Sequence, residues 1–231
     1  CLGGGHGGTL TAHLPLPTAM PAFALRFVGQ EALPPRLSEF DREQFFTLTS
    51  ADVAAIREQF RSDHRLPAAL MLMFMRVAGR PLDGFNMLPR NLLRHTAQVL
   101  AVSPPSIASL RSIYKRRQTL SKHQLWAKTY LGLRELEVDD EVALTAALLA
   151  QAADASHADD LVQAASQWLF TRRILIPGAR RLQDWARDAF AAVEAQILGA
   201  VNAAVPPAAA QKVVDAAYSA RPGTDTTHLE W

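Results

Sequence analysis

The stretch RLPAALMLMFMRVAG, residues 65–79, decides how the chain is read. From Met71 to Val77 only Arg76 is charged, and Arg65 bounds the run on the other side. The run is far shorter than the ~18–20 apolar residues that would span a bilayer. Pro67 suits a first helical turn, where a missing N–H removes nothing. Gly79 suits a helix stop. The stretch therefore predicts a helix that opens at Pro67, runs through Leu70–Val77 and ends at Gly79. Being apolar on every side, it belongs inside a bundle of other helices.

The flanking sequence supplies those helices. Ser38–Phe46 predicts a short one. Thr49 or Ser50 caps the next, through Phe60, with Asp52 in its first turn and Val53, Ile56 and Phe60 on one face. Pro89 opens another, with Leu92, Leu93, Thr96, Val99 and Leu100 inward. After Pro104-Pro105 come Ile107, Leu110 and Tyr114, and then a helix with Leu120, Gln124, Leu125 and Leu131 at helical spacing, stopping at Gly132. Further helices are predicted from Asp139 or Asp140 to Ala153, over His157–Phe170, over Leu182–Ala204 and over Ala208–Tyr218. The long one repeats Leu182, Trp185, Ala189, Val193, Ile197 and Val201 every three or four residues. No period-two strand pattern and no internal repeat occurs. The expected class is all-α, with roughly nine or ten helices.

Composition and charge set the functional limits. Of the 231 residues 49% are apolar, enough for a core. The only cysteine is Cys1, which excludes disulfides and CxxC metal sites and fits a reducing, cytoplasmic setting. No signal-peptide layout precedes the helices. The net charge of +2 conceals two opposed blocks. Ala51–Arg134 holds 14 Lys and Arg against 4 Asp and Glu, a balance of +10; Glu135–Asp160 holds 8 acids and no Lys or Arg, a balance of −8. The expected organisation is a flexible segment 1–32, a basic helical part 33–134, a second helical part 135–204, and 205–231 as the start of a next region in a chain cut from something longer. Residues 1–19 are glycine-rich, and Met20 is compatible with an authentic start, with read-through before it.

Catalytic signals are weak. Glu135, Glu137, Asp139, Asp140 and Glu141 cluster where acids complement a helix dipole, and His157 with Asp159-Asp160 reads the same way. Neither group is a metal site. No GxxxxGK[ST], GxGxxG or GxSxG motif occurs.

The basic residues carry more. Arg111, Lys115, Arg116, Lys122 and Lys128 lie on two adjacent helical segments, with Thr119 and Ser121 between them. Cations pair with phosphates, hydroxyls add hydrogen bonds that set register, and Arg116 or Arg117 can reach a guanine edge. Arg172-Arg173 opens a second basic element, followed by Arg180-Arg181; ion pairing with the acidic block is the competing reading there. Arg57, Arg61, His64 and Arg65, at the joint of two helices, form a third.

In their order along the chain these segments resemble a family. Phe45-Phe46-Thr47-Leu48-Thr49, Ala55-Ile56-Arg57, Arg65-Leu66 before an apolar helix, and Gly79-Arg80-Pro81-Leu82 are similar to the N-terminal region of Tn-three-type transposases, the large enzymes of replicative, cointegrate-forming transposons. Leu88-Pro89 with Leu92-Leu93 continues the likeness. So do Tyr114 with Arg116-Arg117, Thr119, His123 and Gly132-Leu133-Arg134. Leu161, Ala164-Ala165, Arg172-Arg173-Ile174, Pro177 and Leu182 close it, so that it covers about residues 33–200. The resemblance implies a helical module that binds double-stranded DNA at the transposon's terminal inverted repeats, in a bacterial, nucleoid-associated setting. It implies no catalysis by this fragment and no cofactor in it. Phosphoryl transfer, with its Mg, falls to an RNase-H-like domain further along, and any homodimer forms through those missing regions. By the resemblance Arg116, Arg117, Thr119, His123, Arg172 and Arg173 are DNA contacts. The basic elements add Arg61, Arg65, Arg111, Lys115, Lys122 and Lys128. Two departures stand out: the turn Arg61-Ser62-Asp63-His64-Arg65 is poorer in arginine than in the family, and residues 1–19 have no counterpart. The competing function is a helical interaction or dimerisation scaffold that binds no nucleic acid.

Overall fold

The computed structural model describes residues 25–82, 88–219 and 227. The described residues form ten α-helices and no strand. An isolated parallel bridge joins Arg134 and Ile174. The all-α class holds. No single helix among the described residues is long and apolar enough to cross a membrane.

Two compact units divide the chain. The first takes the described residues up to Arg134 together with Phe170–Ile174; the second takes Glu135–Leu169 and the residues from Leu175 on. The expected 135–204 part is thus interrupted, because Phe170–Ile174 packs with the first unit. The backbone explains it: the Arg134 N–H donates to the Arg173 carbonyl at 3.0 Å.

In the first unit α3 (Ser62–Ala78) is the hub, packed against α2 (Ser50–Gln59), α4 (Arg90–Leu100) and α6 (Arg117–Leu131). Its residues from Leu66 to Met75 are all buried, and Gly79 caps it in the left-handed conformation. Pro67 does not open this helix. It lies inside, five residues after Ser62, where it removes one backbone hydrogen bond. The polar turn before it already has helical geometry, with the His64 and Arg65 N–H groups donating to the Arg61 carbonyl. Thr49 and Asp52 form a reciprocal capping box at the start of α2. Asp52 is also held by Arg76 at 2.6 Å and by the Tyr130 hydroxyl at 3.0 Å, which fastens α2 to α3 and α6. Burial alone would raise the Asp52 pKa; Arg76 and the Thr49 N–H outweigh it and hold the carboxyl below its usual range. α1 (Glu39–Phe45) starts at the Ser38 cap. Beside it Phe27 meets Phe45 and Phe46 edge-on, at 5.0 and 5.2 Å. Phe27 and Val28 are buried. Packing therefore reaches back into the 1–32 segment expected to be flexible, because two aromatic rings cover it. Residues 1–24 of that segment lie outside the described residues.

α5 (Ile107–Tyr114) leads directly into α6. Leu125, expected inside, is 60% exposed. The inward line of α6 runs through His123 and Ala127 instead. At about 100° per residue Leu125 stands nearly opposite both. A hydrogen-bonded histidine took the inward place that the apolar spacing had assigned to leucine.

In the second unit α7 (Val138–Ala152) packs on α9 (Ala179–Ala204), with α8 (Ala158–Thr171) and α10 (Pro207–Tyr218) completing the element order. Glu137 and Asp140 box the start of α7. Glu141 accepts from Arg181 at 2.9 Å and from the Trp185 indole at 3.1 Å, so one acid of the block does pair with the second basic element. Leu182, Ala186, Ala189 and Val193 are buried, whereas Ile197 and Val201, expected inside, are about half exposed. The physical reason is length. α9 has 26 residues and α7 has 15. At ~1.5 Å per residue the partner ends first.

Candidate nucleic-acid interface

The joint between α2 and α3 meets the first turns of α6 in a cleft of about 460 Å³, lined by Gln59, Phe60, Arg61, His64, Gln118, Thr119, Lys122 and His123. Two of the three basic elements of the sequence converge here, although 59 residues separate His64 from His123. Arg61 is the residue before α3 and Arg116 the residue before α6; neither caps its helix with a side chain, and both point charge outward.

Below the cleft lies a chain of hydrogen bonds. The Tyr114 hydroxyl is 3.1 Å from the Pro67 carbonyl and 3.0 Å from His123 Nδ1. His123 Nε2 is 3.3 Å from His64 Nδ1. One proton assignment satisfies all three. The carbonyl only accepts, so Tyr114 donates to it; His123 Nδ1–H then donates to the Tyr114 oxygen, and His64 Nδ1–H donates to His123 Nε2. His123 is buried, and burial, with His64 and Lys122 nearby, pulls its pKa down to about 4. It is therefore a neutral acceptor at physiological pH. Burial raises the Tyr114 pKa, so the hydroxyl keeps its proton. Phe60 closes the floor, edge-on to His123 at 4.8 Å and to Trp126 at 5.0 Å. Trp126 in turn stacks on Tyr130 at 5.4 Å.

The expected contact residues sort by place. Arg61, Lys115, Arg116, Arg117 and Lys122 are exposed and make no ion pair among the described residues. Arg111 is exposed on α5; Thr119 and Lys128 are half-buried on α6. Arg65 is half-buried and donates from Nε to the Phe60 carbonyl at 3.1 Å. His123 sits beneath the surface, engaged on both ring nitrogens. Arg172 and Arg173 are exposed and belong to the same unit as α5 and α6. Arg173 holds a left-handed φ of 56°, and its Nη1 lies 3.6 Å from where a Cβ on Gly132 would stand. A cation there complements the C-terminal end of α6. Gln59 and Gln118 were not singled out from the sequence, and nothing in their spacing marks them. His64 was visible only as part of a basic joint. Among the described residues no cluster of metal-ligating side chains occurs.

Residues 30–189, and so every element of the cleft, match the family described as a domain of unknown function (DUF4158). The chain is also similar to a transposase for insertion sequence element IS1071 in transposon Tn5271 of Comamonas testosteroni, at 33% identity over 189 residues. That match covers 82% of this chain and 19% of the relative, so the chain spans about a fifth of that transposase's length. The likeness to a transposase read from the order of motifs is thereby upheld, and the chain belongs to the DUF4158 family.

Proposed function

We propose that this chain is a DNA-binding module of a Tn-three-type transposase, which recognises the terminal inverted repeats of its transposon. The observation that carries the reading is the gathering of Arg61, Lys115, Arg116, Arg117 and Lys122, exposed and without acidic partners among the described residues, around the cleft and the α5–α6 joint. Long cations held away from acids are available to phosphates. The similarity to a transposase supports DNA as the polyanion. In this reading the fragment binds and does not cut, and phosphoryl transfer with its metal belongs to the rest of a longer protein.

Arg116, Arg117 and Lys122 changed together to Ala test it. Titration by fluorescence anisotropy against the transposon's terminal repeat, with a shuffled duplex as control, should show tight binding by the unaltered chain. The triple variant should lose at least about 100-fold in affinity, at roughly 1 kcal/mol or more per lost charge-assisted contact. Its circular dichroism and oligomeric state should not change. Absence of binding by the unaltered chain at low salt would sink the reading and favour the protein-interaction scaffold.

A further inference from the structure

We propose that the cleft between the start of α3 and the first turns of α6 seats a single phosphate group, with His64 as a ligand that takes up a proton when the phosphate arrives. The inference rests on the DNA-binding reading and deepens it, since it names where one backbone phosphate is gripped.

Cations reach the cleft from both sides: Arg61 from the start of α3, Lys122 from α6. Thr119, Gln59 and Gln118 add neutral hydrogen-bonding groups. His64 is the unusual member. Its Nδ1–H is committed to His123 Nε2, which leaves Nε2 as the ring nitrogen available to a ligand. In the neutral ring Nε2 carries a lone pair, which repels a phosphate oxygen. A phosphate therefore requires the imidazolium, whose Nε2–H donates. His123 does not compete for that proton, because it is buried and Tyr114 already receives its Nδ1–H. The charged groups facing His64 act in opposite directions. Asp63 Oδ2 carries negative charge 3.7 Å from Nε2, and Arg61 and Lys122 bring positive charge to the same cleft. Phosphate binding and protonation of His64 are thus coupled, and His123 and Tyr114 are positioning residues that fix which nitrogen His64 presents.

The test uses the 231-residue chain and two probes, a duplex of the transposon's terminal repeat and inorganic phosphate. Duplex affinity should fall about three- to tenfold between about pH 6 and about pH 8. His64→Gln, which keeps a donor for His123 but does not titrate, should flatten that dependence. Lys122→Gln, on an exposed side chain, should weaken binding at every pH and lower the salt slope by about one phosphate. It also serves if His64→Gln fails to fold. In parallel, the His64 ring proton signals should shift on titration with inorganic phosphate. Duplex binding that is pH-independent and identical in His64→Gln overturns the proposal while leaving DNA binding intact. If the duplex does not bind but phosphate shifts His64, the phosphate seat stands with free phosphate as its ligand, and the DNA reading falls. If neither probe binds, both fall.

Discussion

His123 shows how one residue can stabilise a fold and sensitise it to acid. Its ring fills a core position between Phe60 and Tyr114, and both nitrogens are satisfied only while the ring stays neutral. The folded pKa of about 4 lies below the ordinary histidine value of 6.5. Between those values the unfolded chain binds the proton and the folded chain does not, so stability falls as pH drops through that window and levels off beneath it. The expected loss from His123 is about 2 kcal/mol at about pH 5 relative to neutral pH. Urea unfolding at several pH values checks it, and His123→Gln should remove that part of the slope even if its baseline is lower. Asp52 acts in a more acidic window. Its pKa is depressed, so its contribution is present above the usual carboxylate range and is lost as pH falls through the folded value. The sequence marked His123 only by resemblance, as a DNA contact; its burial depends on Tyr114 and His64, brought to it by the packing of α3, α5 and α6.

At the scale of elements, helices with strong end signals were legible and faces were legible only where a partner continued alongside. Ser38, Thr49, Gly79, Pro89 and Gly132 stand at helix boundaries because each makes a local interaction or adopts a local conformation that needs no tertiary context. Pro67 misled, since a proline is tolerated inside a helix whose residues from Leu66 to Met75 are all buried. Leu125 misled for the converse reason: an apolar residue pays little for exposure, while His123 with two hydrogen-bond partners can be buried. Leu72 and Leu125 make the contrast measurable. Leu72 is fully buried in α3, so Leu72→Ala should destabilise the chain by about 3 kcal/mol. Leu125→Ala, at 60% exposure, should stay within about 0.5 kcal/mol of the parent. Thermal or urea unfolding of the two variants decides between the inward line through His123 and one through Leu125.

At the scale of the whole molecule, charge is distributed by unit. If the five exposed, unpaired cations Arg61, Lys115, Arg116, Arg117 and Lys122 each neutralise a phosphate, the logarithm of the DNA association constant should fall against the logarithm of salt with a slope of about −4 to −5. A slope near zero would point to an interaction scaffold. The sequence by itself determined the helical class, the buried central helix and the opposed charge blocks, because periodicity, end signals and charge are local properties of the chain. Tertiary structure alone decided that the basic joint at Arg61–Arg65 faces the basic turns at Gln118–Lys122, that Phe170–Ile174 returns to the first unit, and that His64 meets His123. Those pairings depend on which buried faces satisfy one another across long separations, and no spacing along the chain encodes that choice.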